Sequence, residues 1–272
     1  DRDHEWWRER TADLPGPPQL PLAVDPARVG RPRFVRRESW LPRSAWDAVT
    51  GKARAAGVTP AMVLAAAYGE VLGRWSSQRR FVLNLPVFAR DESLHPDVAR
   101  LVADFTDLLL LPVDLTETAG FGDRARGLQR SFRDAAEHTA YSGVEVLRDL
   151  SRYGEAGSGA AVFACNLGNE LITDSVRQAF GKPGFMITQT PQVWLDHQIN
   201  EYPDGLHLAL DAVEELFPPG VLDGIFDSYV ALLNRLPDSD WGQPVIIELP
   251  GGQQRVRAAA NATGEPAAGG LL

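Results

Sequence analysis

The chain has 272 residues, 44% hydrophobic and 23% charged, values that exclude a wholly disordered chain or a low-complexity fibre. Its formal net charge of −9, with 27 basic against 36 acidic residues, argues against a nucleic-acid binder, which would carry a basic stripe. A lone cysteine, Cys165, excludes an intramolecular disulfide framework and a cysteine-only zinc site. Apolar runs such as Leu108-Leu109-Leu110-Leu111 are too short to span a bilayer, and residues 1–20 contain no signal-peptide core. The expected compartment is the cytosol, with neither membrane nor nucleic acid as partner.

Residues 1–13 read as a short charged helix. A connector to residue 32 follows, in which Pro15, Pro17, Pro18, Pro21 and Pro32 bias their neighbours away from helix. We expect this segment to be loosely attached and to join two bodies. Residues 33–41 alternate as a strand, and 44–56 carry Ala45, Trp46, Val49 and Ala53 at helical spacing. Thr59-Pro60 supplies an N-cap and an N1 proline for a helix reaching Trp75. That helix is apolar nearly all round, so it belongs in the core.

Residues 81–88 and 108–113 read as central strands, 121–135 as a long amphipathic helix and 144–150 as a shorter one. A loop over 154–159 precedes a small-residue strand, 160–167. Strands over 185–188, 192–199 and 206–210 follow, the last after a turn at Pro203-Asp204-Gly205. Pro218-Pro219-Gly220 opens a final helix, 221–236, and from Gly251 the chain reads as a Gly/Ala linker. The class is α/β, a mixed sheet flanked by helices. Neither Gly-x-Gly-x-x-Gly nor Gly-x-x-x-x-Gly-Lys occurs, so the common nucleotide cradles are absent.

The densest polar cluster on an expected strand lies in 189–198. Alternation places Gln192, Trp194, Asp196 and Gln198 on one face, with Val193, Leu195, His197 and Ile199 on the other. An aspartate flanked by Trp194 and two glutamines is placed for a raised pKa, which suits proton transfer. The same pattern fits an edge strand with a solvated polar face. His197 and His207 face each other across the expected hairpin, but two imidazoles without a third ligand make a poor metal set, so no metal is expected. Cys165 has no neighbouring base and reads better as a small core residue than as a nucleophile. Asp104 and Asp107 form either a carboxylate pair or turn caps. Asn261-Ala262-Thr263 fits a glycosylation pattern that a cytosolic chain would not use.

Taken in order, these stretches resemble the C-terminal lobe of a heterocyclization domain of nonribosomal peptide synthetases, within the condensation-domain superfamily. Trp6-Trp7 with Leu14-Pro15-Gly16-Pro17-Pro18-Gln19-Leu20-Pro21-Leu22 is similar to the motif between the family's two lobes. Val58-Thr59-Pro60-Ala61 through Trp75 resembles its buried helix. Asn84-Leu85-Pro86-Val87-Phe88-Ala89-Arg90, Ala103-Asp104-Phe105-Thr106-Asp107-Leu108 and Tyr141-Ser142-Gly143-Val144-Glu145 resemble further motifs. Gln189-Thr190-Pro191-Gln192-Val193-Trp194-Leu195-Asp196-His197-Gln198 is the most diagnostic match, followed by Asp211-Ala212-Val213-Glu214-Glu215-Leu216-Phe217-Pro218-Pro219-Gly220.

The resemblance implies one lobe of a chloramphenicol-acetyltransferase-like fold. It divides the chain into an inter-lobe helix and connector (1–32), the lobe itself (33–250) and a linker toward a following adenylation domain (251–272). The implied activity condenses a carrier-bound acyl group with a carrier-bound Cys, Ser or Thr and cyclodehydrates the product to a thiazoline or oxazoline. No directly bound cofactor is implied; phosphopantetheine arms of donor and acceptor carrier proteins bring the substrates. The implied partners also include an N-terminal lobe, without which the isolated chain would be inactive and its exposed interface would favour self-association.

By resemblance Asp196 is the proton-handling aspartate. By the same resemblance, Gln189, Thr190, Gln192, Trp194, Gln198, Asp104, Thr106, Asn84, Cys165 and Asn166 support it or line the active-site tunnel that the family has between its two lobes. Two departures are visible. The family's Phe-Thr-Ser-x-Leu-Gly reads Phe163-Ala164-Cys165-Asn166-Leu167-Gly168 here, so Ala164 replaces a threonine and Cys165 a serine. Leu210 replaces a tryptophan before Asp211. A second reading follows from them: a member that only condenses, or a lobe that only holds carrier proteins.

Overall fold

The structure is a computed structural model that describes residues 2–88, 90, 93–152, 160–168, 173–181, 185–190 and 192–262. The expected loop at 154–159, Pro191 and the tail from Thr263 lie outside the described residues. In chain order the elements are α1 (Arg2–Thr11), β1 (Phe34–Pro42), α2 (Arg43–Ala55), α3 (Pro60–Trp75), β2 (Arg80–Phe88), β3 (Thr106–Asp114) and α4 (Phe121–Ala136). Then come α5 (Gly143–Arg152), β4 (Ala160–Asn166), α6 (Asp174–Phe180), β5 (Val193–Tyr202), β6 (Gly205–Val213), α7 (Val221–Arg235) and α8 (Gly251–Asn261).

The strands form one mixed sheet in the order β1-β6-β5-β4-β2-β3. Neighbours are antiparallel except at β4, which runs parallel to both β2 and β5. β5 and β6 form a tight hairpin whose ladder closes at Tyr202 and Gly205. Gly205 has φ +137°, and a Cβ there would sit 2.1 Å from the Leu41 carbonyl oxygen. Only glycine fits that corner.

α3 is the core helix that its composition predicts. Met62 through Gly69, then Val71, Leu72 and Gly73, are buried against the sheet, α4 and α7. Each fully buried Leu or Val there contributes roughly 1.5–3 kcal/mol relative to exposure. Gly73 allows the close approach, since a Cβ at this position would lie 2.1 Å from Leu115 Cδ1. Thr59 precedes the helix but makes no side-chain cap; its N–H donates instead to Gln129 Oε1 at 2.6 Å. On the same side, His197 of β5 packs among Tyr68 of α3, Tyr229 of α7 and Phe163 of β4, with ring centroids 4.7–6.0 Å apart.

Several expectations are corrected. The connector is not loose: Trp7 is 3% exposed and donates Nε1–H to the His138 carbonyl, at 3.1 Å. Val82 N–H donates to Gly16, Ser77 N–H to Gln19 and Ala23 N–H to Leu216. Unpaired main-chain groups of a proline-rich segment are thereby used to bind it. Strand β3 lies at the sheet edge, not its centre. Residues 185–190 cross without regular structure where a strand was expected, and α6 was not anticipated. Residues 251–261 form α8 instead of an open linker, docked by Trp75 Nε1–H to Gln253 Oε1 at 2.8 Å and by Gln253 Nε2–H to the Gly220 carbonyl at 2.9 Å. Among the described residues, no single helix is long and apolar enough to cross a membrane.

Candidate active site

Sheet register assembles the polar cluster. Arg36 of β1 pairs with Asp211 of β6, Asp211 with Asp196 of β5, Asp196 with Val162 of β4, and Val162 with Asn84 of β2. Directly opposed residues share a face, so this row lies on the side away from His197 and the core helix α3. The expected alternation through Trp194, Asp196 and Gln198 holds, but β5 is an interior strand and not a solvated edge.

Asp211 is fully buried, and Arg36, with a side chain 6% exposed, grips it twice: Nε–H to Oδ1 at 2.7 Å and Nη2–H to Oδ2 at 2.6 Å. Thr188 arrives from the irregular segment before β5. Its N–H donates to Asp211 Oδ2 at 2.8 Å, and its hydroxyl oxygen lies 2.8 Å from Asp211 Oδ2 and 2.6 Å from Asp196 Oδ2. Gln198 donates Nε2–H to Thr188 Oγ1 at 3.0 Å and accepts from Arg36 Nη2 at 3.4 Å.

Asp196 is 6% exposed. Burial raises its pKa above the usual carboxylate range, against the contacts of its Oδ2 with Thr188 Oγ1 and Gln198 Nε2. Its Oδ1 is buried without a hydrogen-bond partner among the described residues. An orphaned buried oxygen costs about 1–3 kcal/mol, and such an atom points to a ligand or reacting group as its natural partner. The arrangement is a carboxyl held by one oxygen, with the other free.

The remaining sequence candidates are placed differently. Asn84 shares the Asp196 row two strands away. Asp104 and Thr106 form a turn before β3, with Asp104 Oδ1 accepting the Thr106 N–H at 2.8 Å, and Asp107 Oδ1 accepts the Leu108 N–H at 2.7 Å. Asp104 is a turn acceptor, whereas Asp107 lies within β3. Gln189 and Thr190 are exposed, as is Gln192, whose φ of +70° turns the chain into β5 outside the strand alternation. Trp194 is half-buried. Ala164 pairs with Gln198 on the face of Asp196, whereas Cys165 pairs with Ile199 on the face of His197 and α3. Burial pushes the Cys165 thiol up to about 12, so the serine-position cysteine offers no thiolate and does not reach Asp196. Asn166 donates to Asn200 Oδ1 at 3.1 Å.

His197 and His207 do not converge. They pair with Leu210 and Asn200, which places them on opposite faces. Among the described residues, no group of three or more His, Cys, Asp or Glu is arranged to hold a metal ion. Sequence reading missed Thr188 and Arg36 as site residues. The available signal for Arg36 was its alternation within β1 toward the face that carries Asp211; for Thr188 there was none beyond its closeness to the Gln189 motif.

The condensation-domain family model matches residues 1–238. Phenyloxazoline synthase MbtB of Mycobacterium tuberculosis is 46% identical over 265 residues, covering 96% of this chain and 19% of that protein. Pyochelin synthetase PchE of Pseudomonas aeruginosa is 41% identical over 267 residues, covering 98% and 18%. Among solved structures, the EpoB NRPS cyclization-docking bidomain from Sorangium cellulosum superposes with a TM-score of 0.79 at 37% identity, covering 89% of this chain and 49% of that one. The chain thus spans under a fifth of the length of these curated relatives.

Proposed function

Because the chain belongs to the condensation-domain family, we propose that it is part of a heterocyclization domain that joins a carrier-bound acyl group to a carrier-bound Cys, Ser or Thr and closes a thiazoline or oxazoline ring. The names of its relatives, a phenyloxazoline synthase and a pyochelin synthetase, and the likeness to a cyclization domain support this chemistry. The observation that carries it is Asp196, a buried carboxyl of raised pKa with one oxygen unpartnered. After amide formation, the acceptor side chain attacks the new carbonyl to give a hemiaminal. Asp196 takes the proton of the ring nitrogen and gives one to the hydroxyl. The C–O bond breaks, water leaves and a C=N bond remains. The substrates arrive on phosphopantetheine arms of donor and acceptor carriers, an N-terminal lobe completes the tunnel, and an adenylation domain neighbours the lobe.

Replacing Asp196 by Asn in the complete synthetase tests the reading. Mass spectrometry of carrier-bound products separates linear from cyclised species by the mass of one water. Linear product should accumulate while ring formation falls. Unchanged ring formation, or equal loss of amide and ring, would overturn it.

A further inference from the structure

We infer that Thr188 is a positioning residue for Asp196: its hydroxyl bridges Asp196 to the Arg36–Asp211 pair and holds the cluster in a one-proton state, with Asp196 neutral and its Oδ1 left for the substrate. The inference rests on the reading of Asp196 as the proton-handling group.

The argument is a count of hydrogens. A hydroxyl has one hydrogen to donate and two lone pairs. Thr188 Oγ1 has three partners: Gln198 Nε2 at 3.0 Å, which donates, and Asp196 Oδ2 and Asp211 Oδ2 at 2.6 and 2.8 Å. Both of the latter are carboxyl oxygens, and one hydrogen cannot serve two of them. The second contact needs a proton on one of the carboxyls. Asp211 is the wrong place, because Arg36 Nε, Arg36 Nη2 and Thr188 N–H already satisfy it as a carboxylate. Asp196 is the right place. With a proton on its Oδ2, Asp196 donates to Thr188, Thr188 donates to Asp211, and Gln198 fills the last lone pair. Every short contact is then a hydrogen bond.

On the same face, Glu38, two positions along β1 from Arg36, also acts on that guanidinium and lies 3.2 Å from His207 of β6; Val162 and Ala164 face the row from β4, and His197 lies on the opposite side of the sheet. Asp196 gives its one proton to the departing hydroxyl and takes the nitrogen's proton in return, so it ends as it began, with atoms and charge balanced, while Asp211 stays a carboxylate throughout. Thr188 thereby supplies, from a different segment, a hydroxyl that position 164 lacks.

The test pairs a spectrum with product analysis. In the chain carrying ¹³C-labelled aspartate, the infrared spectrum at neutral pH should contain a protonated-carboxyl band that vanishes in Asp196→Asn. Thr188→Val should shift that band, and Thr188→Ser should retain it. In the complete synthetase, Thr188→Val should lower the cyclised-to-linear ratio at least about tenfold, and Thr188→Ser should restore the ratio. Absence of the band from the wild-type chain overturns the inference even if Thr188→Val does not fold, and so does a band that Thr188→Val leaves unmoved. If the band is absent yet Asp196→Asn abolishes cyclisation, the functional reading stands and the Thr188 inference falls. If the band is present yet Asp196→Asn cyclises normally, the functional reading falls and takes the positioning role with it.

Discussion

Arg36 lies directly opposite Asp211 in the β1–β6 ladder, and its guanidinium holds both carboxylate oxygens, at 2.7 and 2.6 Å. The hydrogen bonds it donates to Asp211 hold the guanidinium more firmly protonated than usual, against the opposing effect of burial. Each charge is tolerable there because of the other. Their separation of 175 positions means that this pair also ties the first strand of the sheet to the last.

Removing one partner should therefore be worse than removing both. Arg36→Met leaves Asp211 buried and uncompensated, a change that typically costs about 3–5 kcal/mol. The double variant Arg36→Met, Asp211→Leu should recover much of that loss in urea unfolding. A double variant no more stable than Arg36→Met would show that the carboxylate is not the source of the cost.

Acid sensitivity should come in part from His197. Burial lowers its pKa from 6.5 to about 4, and its Nδ1–H donates to the Ala209 carbonyl at 2.9 Å. Between these values the unfolded chain binds the proton and the folded chain does not, so stability rises with pH from about 4 to 6.5 and levels above it. The full effect is on the order of 3 kcal/mol. Asp196, whose folded pKa is raised, acts with the opposite sign: its contribution is lost as pH rises through that value. The difference between wild type and His197→Phe isolates the imidazole. In thermal unfolding from pH 4 to 7 the variant should show a flatter acid limb, and parallel limbs would count against the assignment.

The connector should resist protease in the folded chain. Trp7, buried and bonded to His138, anchors α1, and truncation of such a side chain costs about 3–5 kcal/mol. Trp7→Ala should expose cleavage sites within residues 12–32 that the wild type protects. Equal cleavage of both would mean that the main-chain hydrogen bonds made at Gly16, Gln19 and Ala23 hold the segment without the indole.

Much of the architecture is legible before folding because it depends on local periodicity. The apolar run after Thr59-Pro60 could only be a buried helix, and Pro203-Asp204-Gly205 could only be a tight corner. Alternation along residues 193–199 puts Asp196 and His197 on opposite faces whatever the partner strands are. The segment from Gly251 reads as a linker because its two glycines outweigh a following run of good helix formers, and the contacts of Gln253 with Trp75 and Gly220, which lie far away in the chain, define it as docked.

The sequence by itself determined that an aspartate stands between Trp194 and Gln198 on a strand. Only the tertiary structure decided that Thr188 closes the site. Its segment has no periodicity to read, and its hydroxyl meets Asp196 eight positions away and Asp211 twenty-three positions away only because β5 and β6 stand side by side in one register. Secondary structure follows from neighbours along the chain. A proton shared among three side chains depends on distances of a few ångströms between strands, which no pattern along the chain encodes.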